Sequence, residues 1–188
     1  PKHAEHAVDA ALEMLRKVDE LKEEFGAEGL PRIDVGVGVN TGPMNVGDMG
    51  SSYRRAYTVL GDAVNLGSRL EGATKQYGLR LLVGETTAAQ LPNHVLRLID
   101  RLQVKGKTEP VQVFEPLCRK EQASQDLLAR VDRWHAAQQA YFAQRWDDAE
   151  RELVKLLVDE PGCKLYLIFL ERVKAMRANP PAADWDGV

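Results

Sequence analysis

Cysteine is scarce in this chain: Cys118 and Cys163 are the only two among 188 residues, and no CxxC pair is present. Two isolated thiols do not make a disulfide-stapled secreted scaffold, so the sequence predicts a reducing, cytoplasmic setting. Long hydrophobic runs are missing too. No apolar stretch approaches the roughly 20 residues that span a bilayer, which predicts a soluble chain. A basic excess is the third absence. The 25 Lys+Arg stand against 28 Asp+Glu, a formal charge of −3, which argues against a nucleic-acid or anionic-membrane surface. Catalytic signatures are thin as well: there is no His/Cys metal spacing, nucleophile elbow or Walker-type phosphate loop. His3, His6, His94 and His135 are scattered and read as surface or cap histidines.

What is present suffices for a core. Hydrophobic residues make up 44%, and a chain of this length can fold as one domain or as one domain with a small appendage. The sequence opens at Pro1 directly into a helical pattern, so it reads as a piece of a longer protein.

From Ala4 to Phe25, the residues Ala4, Ala7, Ala11, Met14, Val18, Leu21 and Phe25 recur at spacings of three and four. This predicts an amphipathic helix ending near Gly26. Its alanine-rich start favours lying on a sheet over forming a coiled coil. Next, Ile33, Val35, Val37 and Val39 alternate with Asp34, Gly36, Gly38 and Asn40, the period of a strand. Glycines on one face of a strand point to close approach of a ligand or another backbone, or to a bulge or tight packing; the pattern leaves these open. After the Thr41-Gly42-Pro43 turn, Val46 to Gly50 reads as the second strand of a hairpin.

A helix is predicted from about Thr58 to Tyr77, stopped by Gly78. A strand over 79–83, a short helix over 85–91 and a hairpin of strands over 95–104 and 111–114 follow, with Leu96, Leu98, Leu102 and Val104 sharing one face. The character changes after Pro116, and from Gln122 onward until the tail only helical periodicity remains, as in Leu127, Val131 and Trp134 and then Ala149, Leu153, Leu156 and Leu157. Ala149, Leu153, Leu156 and Pro161 match the second helix of a tetratricopeptide-type repeat; a single repeat must dock on the sheet domain or on a partner. The element order predicts an α+β fold with helices on one face of a sheet over residues 1–117, followed by an all-α C-terminal appendage over 118–188.

The most informative segment is the helix placed at 58–77. Thr58, Asp62, Asn65 and Arg69 are four, three and four residues apart and share one face, with Leu60, Val64, Gly67 and Leu70 on the packing side. Such a stripe is ordinarily a solvated face. Two details favour a site. Asparagine is a poor interior helix residue unless its amide has a task, and Arg69 lies one turn on, where its fork could share an anionic ligand with that amide. The expected site is this polar ridge facing the glycine-smoothed strand. Lys105 and Lys107 flank Gly106 at a hairpin tip, an ordinary place for solvated lysines. Asp34 and Asp48 lie on or beside the glycine-rich strands without a spacing that defines a metal site.

Four stretches taken together carry a resemblance: Val37-Gly38-Val39-Asn40-Thr41-Gly42-Pro43, Val46-Gly47-Asp48-Met49-Gly50, the run from Tyr57 through Gly61-Asp62-Ala63-Val64-Asn65 to Arg69-Leu70-Glu71, and Val104-Lys105-Gly106-Lys107. In order and spacing, over residues 2–117, they resemble the class III adenylate/guanylate cyclase catalytic domain. The resemblance implies a partial ferredoxin-like cyclase sheet, and a reaction in which the 3′-hydroxyl of a nucleoside triphosphate attacks its own α-phosphorus and pyrophosphate leaves. It assigns Asn65 to orienting the ribose and Arg69 to neutralising charge on the transferring phosphate. Lys105 would hold the triphosphate tail, and Thr58 would read the purine edge. A threonine there resembles bacterial adenylate cyclases, where guanylate cyclases usually carry cysteine, so ATP is expected before GTP.

The family binds two metal ions, Mg2+ or Mn2+, through two aspartates, and reads the base with a nearby lysine. All of these precede the helix with which this chain opens, so no metal ligand is assigned here. The family also assembles its site head to tail across a homodimer, and this chain matches only the half bearing Asn65, Arg69 and Lys105. The 188-residue chain is therefore expected to be inactive alone, as part of an adenylate cyclase. Its helical tail resembles that of bacterial members carrying a membrane-tethered sensor upstream, and offers a surface for protein contact. The alternative is a degenerate cyclase-like regulatory or dimerisation module without turnover. A diguanylate cyclase is a weaker match, since no GGDEF-like signature is present.

Overall fold

The computed structural model describes residues 2–31, 33–51, 54–103, 110–182, 185 and 187. Two compact units are formed, one from residues 1–75 and 80–92, the other from 76–79 and 93–188.

The first unit begins with helix α1 (His3–Ala27), which buries Ala4, Glu5, Val8, Ala11 and Leu15. The predicted stripe through Ala7, Met14 and Leu21 is corrected, since Met14 is 56% exposed. Ala4 and Ala11 are buried as expected, but the inward row continues through Val8 and Leu15, each one residue on from Ala7 and Met14. Strand β1 (Val37–Val39) is shorter than its sequence pattern. It pairs in parallel with β4 (Leu81–Gly84), Val37 opposite Leu81 and Val39 opposite Val83.

Strand β2 (Asn45–Ser51) forms its hairpin with β3 (Arg54–Leu60), antiparallel, with Asn45 opposite Leu60. This corrects both the hairpin expected with the 33–39 strand and the helix expected to start at Thr58. The sequence Ala56-Tyr57-Thr58-Val59 is aromatic and β-branched, a strand composition. Helix α2 (Asp62–Tyr77) starts only after Gly61, whose φ of +154° breaks the run. It buries Leu66, Leu70 and Thr74, while Leu60, expected to pack, is 55% exposed. Short helix α3 (Glu85–Ala88) follows β4.

In the second unit, β5 (His94–Leu102) pairs antiparallel with β6 (Val111–Arg119). Irregularities between Val95 and Leu96 and between Leu98 and Asp100 break the period of two. The buried apolar residues of β5 are therefore Val95 and Ile99, and the Leu96–Leu98 face is only half-buried. Three helices follow, α4 (Gln125–Phe142), α5 (Trp146–Asp159) and α6 (Lys164–Ala178). The Ser124 hydroxyl caps α4 by accepting from the Leu127 N–H at 3.1 Å.

Helix α4 is tied to β5 by polar bonds as well as packing. Trp134 Nε1 donates to the Leu98 carbonyl at 2.5 Å, Gln138 Nε2 to the Ile99 carbonyl at 2.7 Å, and His135 Nε2 accepts from the Leu98 N–H at 3.2 Å. Two histidines read as surface groups are thus internal, since His94 is also buried. Trp134, Tyr141, Tyr166 and Phe169 fill the core here, with ring centroids of Trp134 and Phe169 5.0 Å apart, edge to face. The class is mixed α+β with C-terminal helices, as the sequence predicts. Among the described residues no helix is long and apolar enough to cross a membrane.

Candidate functional site

Gly38 in β1 and Gly36 just before it have a definite task. A Cβ on Gly38 would overlap the Gly67 carbonyl and lie 2.5 Å from the Glu71 backbone nitrogen; one on Gly36 would run into the Thr74 hydroxyl. Bare backbone on the strand lets α2 approach it main chain to main chain. Of the alternatives left open by the sequence, close approach of another backbone is the one realised.

This fixes which side of α2 points where. Asn65 and Arg69 each lie two residues from Gly67, about 200° round the helix, and both are exposed, as is Asp62. The expected ridge facing the glycine-smoothed strand is therefore corrected: the strand receives the Gly67–Glu71–Thr74 side, and the amide and guanidinium face outward. They stand one turn apart, about 6 Å along the axis.

The start of α2 is held by a clasp that sequence reasoning did not single out. Asn40, just after β1, donates from Nδ2 to the Ala63 carbonyl at 2.9 Å, and its side chain lies over Gly84, where a Cβ would strike Oδ1. A Cβ on Gly42 would come within 2.7 Å of the Ala63 methyl, and one on Gly61 within 3.1 Å of the Pro43 carbonyl. Thr41 and Thr87 exchange a hydroxyl hydrogen bond of 3.0 Å. The available signal was an amide at a strand end followed by Thr-Gly-Pro, which reads equally as an ordinary turn.

Thr58 does not share the α2 face. It lies on β3 opposite Gly47 and is half-buried, between the exposed Tyr57 and Val59. Lys105 lies outside the described residues. Asp34 is exposed and bound to Lys22 at 2.8 Å, an ion pair that holds its carboxyl below the ordinary range. Among the described residues no three His, Cys, Asp or Glu side chains converge as metal ligands. The donors among these described residues do not make up a metal centre. What the arrangement offers is an amide and a permanent cation, side by side and open to a polyanionic ligand.

Residues 1–115 match the family model of the adenylate and guanylate cyclase catalytic domain. The chain belongs to that family. It is 42% identical over 117 residues to an adenylate cyclase of Anabaena cylindrica, covering 58% of this chain and 23% of that protein. Similarity to the terminal-differentiation-specific adenylate cyclase of Dictyostelium discoideum is 30% identity over 172 residues, 89% of this chain and 8% of that protein. A match of that length necessarily runs into the C-terminal helices. The chain thus spans less than a quarter of either relative. Among solved structures, the adenylyl cyclase CyaB from P. aeruginosa superposes with a TM-score of 0.55 at 28% identity, over 64% of this chain and 62% of that one.

Proposed function

We propose that this chain is part of a nucleotide cyclase that converts ATP to 3′,5′-cyclic AMP and pyrophosphate at a homodimer interface. Residues 1–117 form the catalytic portion and 118–188 a helical extension. In the reaction the O3′–Pα bond forms, the bond from Pα to the oxygen bridging to the β-phosphate breaks, and the 3′-hydroxyl proton is released. The substrate is its own nucleophile, so the protein contributes positioning and charge stabilisation. Asn65 orients the ribose, Arg69 meets the charge that grows on the transferring phosphate, Lys105 holds the triphosphate tail and Thr58 reads the purine edge.

The observation that carries this reading is the outward-facing Asn65–Arg69 pair on a helix whose inner side is packed main chain to main chain against β1. A pair presented in this way can be closed over by a second subunit. Divalent ions, Mg2+ or Mn2+, would come with ligands that this chain does not supply, so the 188-residue chain alone makes no cyclic nucleotide.

The test is cyclic nucleotide formation from ATP and from GTP, with Mg2+ or Mn2+, by the longer protein and by the 188-residue chain. Turnover by the longer protein and none by the chain is expected. No turnover by either would make the domain a regulatory module, and turnover by the isolated chain would overturn the shared-site arrangement. Thr58→Cys should shift the ATP-to-GTP ratio, and an unchanged ratio removes Thr58 from the base pocket.

A further inference from the structure

The last residue of α2 enters a buried polar network that the site itself does not use. Tyr77 is fully buried, and its hydroxyl donates to Asp100 Oδ2 on β5 at 2.6 Å. The same oxygen accepts from the Arg172 guanidinium of α6 at 2.6 Å, while Asp100 Oδ1 accepts from the Arg101 N–H at 2.9 Å. Asp100 is 2% exposed. A carboxylate so deeply buried is tolerable only with its cation in place, so the bond to Tyr77 and the docking of α6 stand or fall together. One residue further on, a Cβ at Gly78 would lie 2.8 Å from Lys164 Cβ, at the start of α6. Helix α6 therefore reaches the end of α2 through the shared carboxylate of Asp100, and lies against the residue that follows the helix, Gly78.

Asn65 and Arg69 lie two to three turns back along the same helix. A hydrogen-bonded helix transmits an anchor at its last turn and frays without one. We infer that Arg172 is a positioning residue: through Asp100 it fixes Tyr77 and so the end of the helix that presents Asn65 and Arg69, which makes the C-terminal helices a determinant of turnover. The part concerning turnover rests on the cyclase reading; the coupling of α6 to α2 does not. Burial and the neighbouring carboxylate both push the Tyr77 hydroxyl up, so it remains a donor throughout the ordinary pH range.

The test combines amide hydrogen exchange on the 188-residue chain with steady-state kinetics on the longer protein, for Tyr77→Phe, Arg172→Gln and Arg172→Lys. Removing one hydrogen bond to a buried charge should speed exchange across 70–77 about tenfold in Tyr77→Phe, with α5 changed less than about twofold. Arg172→Gln should do the same or more, and Arg172→Lys should restore protection. In the longer protein kcat should fall about tenfold with KM within about twofold. Unchanged exchange in α2, or equal acceleration in α5, overturns the coupling, and Tyr77→Phe decides the matter if Arg172→Gln does not fold. Accelerated exchange with unchanged kcat overturns the positioning role. A wild-type longer protein that makes no cyclic nucleotide refutes the cyclase reading, and exchange alone then decides whether α6 anchors α2.

Discussion

The Asn40 amide and the Ala63 carbonyl are joined across 2.9 Å, so the loop leaving β1 grips the first turn of α2 two residues before Asn65. Alanine at position 40 would remove the donor and leave open space over Gly84. Asn40→Ala should destabilise the chain by about 1 kcal/mol, the ordinary worth of such a bond, read as a lower urea midpoint with unchanged slope. In the longer protein kcat should fall more than KM rises. Wild-type stability and kinetics in this variant would show that the clasp does not hold α2.

Gly38 and Gly47 give opposite expectations from the same substitution. A methyl at Gly38 collides with the α2 backbone, Glu71 Cα lying only 3.1 Å away, whereas at Gly47 nothing lies within 4 Å. Backbone cannot swing aside as a side chain can, so Gly38→Ala should cost about 3 kcal/mol or prevent folding. Gly47→Ala should lie within about 0.5 kcal/mol of wild type. Denaturant melts of the two variants check this, and equal midpoints would contradict the main-chain contact between β1 and α2.

Arg69 is exposed, and no ion pair or hydrogen bond ties it into the described fold. Arg69→Ala should therefore leave the melting temperature unchanged. A guanidinium that acts on the transition state is worth far more in rate, and kcat of the longer protein should drop on the order of 100-fold or more. If only KM rises, the residue binds substrate uniformly and its assigned role is wrong.

The fold class and the existence of most elements were legible because hydrophobic period and turn residues agree with the final packing. The α4–α6 helices and the 111–114 strand are examples. Thr58 was misplaced because its spacing to Asp62 fits a helix by number alone, while the positive φ at Gly61 separates strand from helix. The outward direction of Asn65 and Arg69 was hidden for a similar reason. Periodicity groups residues by face without saying which face meets the sheet, and here the answer lay in the two missing side chains at Gly36 and Gly38. Least legible was Asp100, a lone acid in a strand, whose partners Tyr77 and Arg172 stand 23 and 72 residues away in sequence.

His135 gives a pH dependence with a definite sign. Its Nε2 accepts from the Leu98 N–H, so the neutral ring carries its proton on Nδ1; a protonated ring would set N–H against N–H. Burial pushes its pKa down from 6.5, Arg97 pushes the same way, and Asp132 opposes them. The unfolded chain then binds a proton more readily than the folded one. Stability from this group is complete above about pH 6.5 and is lost as pH falls through the lower folded value. Comparing melting temperatures at about pH 7.5 and 5.5, wild type should lose several degrees more than His135→Gln, which cannot take up the proton. Parallel losses in both proteins would assign the acid sensitivity elsewhere, with the half-buried Arg97–Glu115 pair the next group to substitute.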